Sequence, residues 1–148
     1  MSRIWSPQEV LPHRPPMQLL TRIVSWGPAE LVAEVDIAED GLFAEPGLGV
    51  PRWVGLEYMA QAVAALDGVR LCEAGQGVPP GYLLGTRRLE ATDGYFQPGE
   101  TLRITVHEVL QGENGLGVFS CLLGAAERSL SCQLTVYRPA QSPPDSNA

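Results

Sequence analysis

Glu57 and Gln61 stand four residues apart in Trp53-Val54-Gly55-Leu56-Glu57-Tyr58-Met59-Ala60-Gln61, a run that is otherwise almost wholly apolar. One helical turn separates them, so on a helix they share a face. A carboxylate among apolar neighbours is destabilising unless it is paired, or it keeps its proton. A protonated Glu near neutral pH serves as a general acid, and Gln61 could orient it or a substrate. The plainer alternative is a Glu that faces solvent or pairs with an arginine such as Arg52. His13 lies in Leu11-Pro12-His13-Arg14-Pro15-Pro16-Met17. Three prolines fix that loop, which suits a preorganised base, although a His here could equally cap a turn or a strand end. His107 falls on the polar face of a predicted strand, where solvent exposure is the default.

A second stretch, Tyr82-Leu83-Leu84-Gly85-Thr86-Arg87-Arg88, places a glycine inside a predicted strand. Such a glycine often marks close backbone approach by a ligand, and Arg87 with Arg88 would form a local positive patch. Two solvated arginines are the simpler account. Cys72, Cys121 and Cys132 contain no Cys-x-x-Cys pair and have only two histidines beside them, so no metal-ligand spacing exists. Three buried, reduced thiols are expected. There is no Gly-x-Ser-x-Gly elbow, no His-Glu-x-x-His and no Gly-rich phosphate loop.

The elements that must hold these residues follow from periodicity. Ser6-Pro7-Gln8-Glu9 is a capping box with Pro at the first helical position, and Pro12 stops that helix by Leu11. Met17 to Val24 reads as a strand, Gly27-Pro28 as a turn, and Leu31 to Ile37 as a half-buried strand with alternating apolar residues. After a Gly- and Pro-rich loop from Glu39 to Val50, Pro51 to about Leu71 reads as one long helix, apolar almost all round and therefore buried on most sides. Gly55, Ala60, Ala64 and Gly68 keep it slim. Its core is too short and too polar to span a membrane. About four antiparallel strands follow: Tyr82 to Ala91, Thr101 to Leu110, Leu116 to Leu123, and a last one through Leu130, Cys132, Leu134 and Val136. Phe96 to Glu100, Glu113-Asn114-Gly115 and Gly124 are read as turns.

A curved antiparallel sheet wrapped around one apolar helix satisfies this order, an α+β architecture of one domain over residues 1–138 with a disordered tail over 139–148. Such a domain leaves sheet edges open, so pairing of two chains edge to edge is expected, as a homodimer or higher oligomer. The 148 residues carry ten positive and seventeen negative side chains, a formal charge of −7 and a pI near 4.7. Nucleic acid and anionic membrane surfaces are therefore poor partners. All ten positive residues are Arg. Without Lys, Schiff-base chemistry and a Walker-type lysine are excluded. The first residues lack an apolar signal core, and a cytoplasmic protein is expected.

Taken together, the sequence resembles the bacterial 3-hydroxyacyl-ACP dehydratases of the hotdog superfamily. The branch it looks most like is the predicted dehydratases of aryl-polyene (xanthomonadin-type) pigment biosynthesis. The resemblance covers about residues 10 to 138. It rests on Leu11-Pro12-His13-Arg14-x-Pro16-Met17, Val54-Gly55-Leu56-Glu57-Tyr58-Met59-Ala60-Gln61 and Tyr82-Leu83-Leu84-Gly85-Thr86-Arg87-Arg88. The turn Phe96-x-Pro98-Gly99-Glu100-x-Leu102 and the run Gln111-Gly112-Glu113-Asn114-Gly115-Leu116-Gly117 add to it. It implies a hotdog fold and loss of water from a 3-hydroxyacyl thioester to give a trans-2-enoyl thioester. Glu57 matches the superfamily's helix acid, which works with a His across a dimer interface. Donors at the helix N-terminus would polarise the thioester carbonyl. Trp53, Gly55, Gln61, Gly85, Arg87 and Arg88 are the candidate substrate-binding residues. No metal or redox cofactor is implied, because the acyl chain arrives on the phosphopantetheine of an acyl carrier protein.

The sequence departs from the fatty-acid enzymes at one point. Their catalytic His sits in a Gly-His-Phe-Pro-Gly loop before the long helix. The loop here reads Gly41-Leu42-Phe43-Ala44-Glu45-Pro46-Gly47, with Phe43 or Ala44 in the His position. Either His13 is the substitute base, or a homologous dehydratase in a mixed complex supplies one and this chain is its non-catalytic partner. A hotdog thioesterase, with the helix carboxylate activating water, is the other enzymatic alternative.

Overall fold

The structure is a computed structural model; it describes residues 3–76, 82–87, 93–112, 114–125 and 128–137, with 82–87, 125 and 128 as backbone only. A four-residue helix α1 (Pro7–Val10) opens the chain. The Glu9 carboxylate accepts from the Ser6 N–H and hydroxyl, both at 3.0 Å, as the capping box predicts. Strands β1 (Arg22–Trp26) and β2 (Glu30–Asp36) form a hairpin closed by the Gly27 N–H on the Glu30 carbonyl at 2.8 Å. After the Gly/Pro loop, the two-residue strand β3 (Val50–Pro51) leads through a 3-10 turn (Arg52–Val54) into α2 (Gly55–Glu73).

The rest of the chain is sheet: β4 (Tyr82–Arg87), β5 (Tyr95–Phe96), β6 (Thr101–Gln111), β7 (Leu116–Ala125) and β8 (Arg128–Tyr137). Six strands make one antiparallel sheet in the order β1-β2-β6-β7-β8-β4, while β3 and β5 form a separate pair. Alternation sets which side faces the helix. Leu102, Ile104 and Val106 of β6 are fully buried while Arg103 and His107 point outward, and β2 buries Leu31, Ala33 and Val35 in the same way.

Between those inward rows lies α2, with Met59, Ala62, Ala65, Leu66 and Val69 completely covered. Apolar burial over so long a helix is the main stabilising term of the domain. At Gly68 the helix touches α1: a Cβ there would stand 1.9 Å from the Val10 carbonyl oxygen, so only glycine lets the two segments meet.

Four expectations are corrected. The apolar run from Met17 does not enter the sheet until Arg22, because Met17 and Leu19 bond instead to Gln61 of α2. The helix proper starts at Gly55, after a 3-10 turn, and not at Pro51. Gly124 is no turn: it is a ladder residue of β7, facing Arg103 and Ser129. Cys72 is only half-buried, whereas Cys121 and Cys132 are buried and opposite each other across β7 and β8; none of the three forms a disulfide. Contact with Cys132, then burial, pushes the Cys121 thiol well above its ordinary pKa. Predicted features at 77–81, 88–92 and 138–148, with Arg88 and the tail among them, lie outside the described residues.

Candidate active site

Gln61 is the centre of the site. It has no solvent exposure, yet every part of its amide is used. Its Nε2 donates to the Met17 carbonyl at 2.7 Å and to Glu57 Oε1 at 3.1 Å, and its Oε1 accepts the Leu19 N–H at 2.9 Å. One amide thereby pins the loop after His13 to the helix and orients Glu57.

His13 arrives from that loop, with Arg14 Nη1 bonded to the Leu11 and His13 carbonyls at 3.3 and 3.2 Å. His13 Nε2 stands 3.9 Å from Glu57 Oε1. This is ion-pair range but too long for a hydrogen bond, and the same Glu57 oxygen already accepts from Gln61. The other His13 nitrogen, Nδ1, is shielded from solvent and has no partner. Glu57 does not occupy the closed apolar setting expected of it: its side chain is 37% exposed, and that of His13 is 28% exposed. Nor does Arg52 reach it. A carboxylate and an imidazole, both partly exposed, therefore face each other across a gap, the kind of arrangement that acid–base chemistry uses.

Between the pinned loop, the end of β2 and the helix opens a cleft of about 200 Å³, lined by Pro16, Gln18, Leu19, Asp36, Leu42, Phe43 and Tyr58 among others; neither His13 nor Glu57 lines it. The lining is mainly apolar, with the Gln18 Oε1 shielded and unpartnered and a Tyr58 phenol that burial pushes up to about 12. These residues escaped the reading of the sequence. Their one signal was position, since Tyr58 follows Glu57 and Gln18 lies in the loop that Gln61 holds.

The remaining candidates are not brought together: Trp53 and Gly55 stand at the helix N-terminus, and Gly85 and Arg87 lie on the edge strand β4. Trp53 is 56% exposed, with its ring edge-on to Phe43 at 6.0 Å between centroids. Gly55 is buried against the sheet, where a Cβ would come within 2.7 Å of Leu130 Cδ1; its smallness serves that contact. Gly85 sits at an irregularity in the β4–β8 register, and Arg87 ends β4 opposite Gln133. Among the described residues no His, Cys, Asp and Glu cluster could hold a metal ion, and no helix is long and apolar enough to cross a membrane.

The sequence model of the ApeP-like family, described as ApeP dehydratase, matches residues 5–146. The chain belongs to the ApeP-like dehydratase family. Among solved structures, a chain of the dehydratase heterocomplex ApeI:P from Xenorhabdus doucetiae is similar over 94% of both chains, at 27% identity and a TM-score of 0.81. Thioesterase superfamily member 2 from Mus musculus aligns over 82% of each chain at 18% identity and a TM-score of 0.55. The E. coli PaaI protein of the phenylacetic acid degradation operon aligns over 78% of this chain and 81% of its own, at 14% identity and 0.57. The last two show the hotdog architecture alone. No curated protein is significantly similar in sequence. In this ApeP-like dehydratase Glu57 stands in the first turn of α2, and His13 of the Pro-His-Arg loop comes to 3.9 Å of it.

Proposed function

We propose that this ApeP-like protein removes water from a 3-hydroxyacyl thioester carried on an acyl carrier protein during aryl-polyene assembly in the cytoplasm, with His13 as base and Glu57 as acid. The observation that carries this reading is the convergence of His13 and Glu57 to 3.9 Å, both partly exposed. His13 Nε2 accepts the proton from C2 as the C2–C3 double bond forms. The C3–O bond breaks, and Glu57 gives its proton to the departing hydroxyl, which leaves as water. Return of the proton from His13 to Glu57 resets the pair. Atoms and electrons balance without a metal or redox cofactor, so none is proposed. The acyl tail fits the cleft between Leu42, Phe43 and Tyr58, and the working assembly is a complex with a companion dehydratase subunit, as in the similar heterocomplex.

A second reading rests on Phe43. Phe43 or Ala44 falls at the position of the catalytic loop histidine in the fatty-acid enzymes, and the Phe43 ring packs against Trp53. Under that reading the chain supports a companion that performs the chemistry.

The test is a mass-spectrometric assay of 3-hydroxyacyl-ACP with the chain alone and with its companion. Loss of water in the complex, reduced roughly 10²–10⁴-fold when this chain carries Glu57→Gln or His13→Ala, is the expected result. A complex that keeps full activity with either variant overturns the catalytic assignment. Release of free acid would make it a thioesterase.

A further inference from the structure

Cys121 and Cys132 face each other on one rung of the β7–β8 ladder, and α2 lays Met59 against them. Alternation puts both thiols on the inward side, in the buried rows Phe119, Cys121, Leu123 and Leu130, Cys132, Leu134. Directly opposed side chains on one face of a sheet have Cβ atoms about 4.5–5.5 Å apart, within reach of sulfur contact. The Cys132 thiol is a hydrogen-bond neighbour of Cys121, and its sulfur lies 3.7 Å from the Met59 sulfur. Cys121 Sγ also stands 3.9 Å from the Phe119 carbonyl oxygen. Cys121, Cys132 and Met59 are 1%, 6% and 0% exposed, so three sulfurs from three elements converge out of reach of water.

A single buried cysteine packs as a small hydrophobe and needs no further account. Three sulfurs at one point offer what leucines do not, polarizable lone pairs within reach of one centre. Sulfur ligands about 2.3 Å from a metal stand about 3.8–4.0 Å from one another in tetrahedral or trigonal geometry. The Cys132–Met59 spacing is already close to that. Two thiols and a thioether make a soft ligand set of the kind that selects Cu(I). Zinc wants four ligands, and among the described residues no group of three His, Cys, Asp or Glu exists to supply them. The charge balance points the same way. Gln61 and Arg52 are the buried polar side chains among the described residues, so no buried carboxylate is there to offset added charge. A monovalent ion that replaces one thiol proton adds none. Contact with Cys132, then burial, makes Cys121 hold its proton firmly, and a bound cation takes that proton's place.

We propose that Cys121, Cys132 and Met59 form a three-sulfur site for one soft monovalent cation, Cu(I), inside the core between β7, β8 and α2. On binding, one S–H bond breaks, a sulfur–copper bond forms and the proton leaves to solvent. The second thiol and the thioether each donate a lone pair, and no electron is transferred. Met59 leaves α2 roughly opposite Glu57, two positions earlier, so the site takes no part in the chemistry of His13 and Glu57 and stands or falls apart from it.

The experiment uses the full chain with Cys72→Ala, which removes the half-buried third thiol. The reduced protein, kept free of oxygen, is titrated with Cu(I) held by the competing chelator bicinchoninate. One equivalent is expected to transfer to each chain, with an ultraviolet thiolate-to-copper absorption and a raised Tm, since an ion that prefers the folded state stabilises it. Met59→Leu nearly conserves volume; it is expected to leave the metal-free chain folded and to weaken Cu(I) binding at least roughly tenfold. Cys121→Ala and Cys132→Ala should weaken it at least as much, and they probe the two strands separately, so a variant that fails to fold leaves the others to decide. Copper that stays on the chelator overturns the inference. So does a Tm that loading leaves unmoved or lowers, because the ion would then be held by thiols of the unfolded chain. Binding indifferent to Met59→Leu removes the thioether and with it the three-sulfur site, and Zn(II) held as tightly as Cu(I) overturns the assignment to a soft monovalent ion.

Discussion

The outer face of β1, β2 and β6 and the first turns of α2 treat charge in opposite ways. On the sheet, Arg22 bonds Glu34 at 2.6 Å and also Asp36, and Arg103 reaches the second Glu34 oxygen at 3.0 Å, all in or near solvent. On the helix, Gln61 is buried and fully bonded, while the Arg52 Nε is shielded and has no partner among the described residues. Pairing where water would have served anyway contributes little. Polar groups taken out of water must be satisfied, so Gln61 is a structural pin, whereas Arg52 holds an unpaired Nε. Removing one arginine or amide at a time along this series, from buried to exposed, sharpens or breaks that contrast.

The largest effect belongs to Gln61→Leu. The substitution keeps the volume but strands the Met17 carbonyl and the Leu19 N–H, each at roughly 1–3 kcal/mol. We expect stability to fall by roughly 2–5 kcal/mol, a Tm drop on the order of 10 °C, and protection of the Leu19 amide from hydrogen exchange to be lost. A Tm within about 2 °C of the parent would mean that the Met17–Leu19 loop holds itself and that Gln61 is not the pin.

This site also shows what could be read from the sequence. The all-round apolar pattern of Trp53 to Val69 marked α2 as the buried helix, and the alternation at Leu102, Ile104 and Val106 marked the inward face of β6, because period and burial are local signals. Glu57 with Gln61 one turn on was visible for the same reason. That Gln61 reaches back to Met17 was not visible, and so an apolar run that looks like a strand became a tethered loop, since a hydrogen bond between segments far apart in the chain leaves no periodicity. His13 opposite Glu57 was hidden in the same way: the prolines announced a rigid loop but not the direction in which it points. Arg52 was weighed as a partner for Glu57; only the packing around Gly94 and Phe96 shows that it turns elsewhere. Gly124 was misjudged because a glycine in an antiparallel strand and a glycine in a turn look alike until the register is known.

Arg70 is the intermediate case. Its side chain is 26% exposed, forks onto both Glu108 oxygens at 3.0 Å and also donates to the Pro28 carbonyl. Arg70→Met should cost roughly 1–3 kcal/mol in urea titration, because Glu108 remains half-covered with its fork removed. A loss as large as that of Gln61→Leu would show that burial does not rank these groups.

The smallest effect belongs to Arg22→Met, and its signature is in pH. The hydrogen bond from Arg22, with a second from Thr101, holds Asp36 below its ordinary 3.8, and hydrogen bonds from Arg22 and Arg103 hold Glu34 below 4.5. Carboxylates depressed in the folded state contribute stability above their unfolded values and lose it as pH falls through the folded ones. The parent should therefore be slightly more stable than Arg22→Met at pH 7. The two melting curves should converge as pH falls through the lowered folded-state values of Asp36 and Glu34, where both carboxylates take up protons in either state. Adding about 1 M salt at pH 7 should shrink the same difference, since these groups face solvent and screening acts on them directly. Arg52→Met, by contrast, should leave the acid limb of the isolated chain where it was, because no carboxylate among the described residues loses a partner. If the two variants instead shift that limb alike, the guanidinium of Arg52 does have an acidic neighbour within its own chain, and the opposition between the two regions disappears.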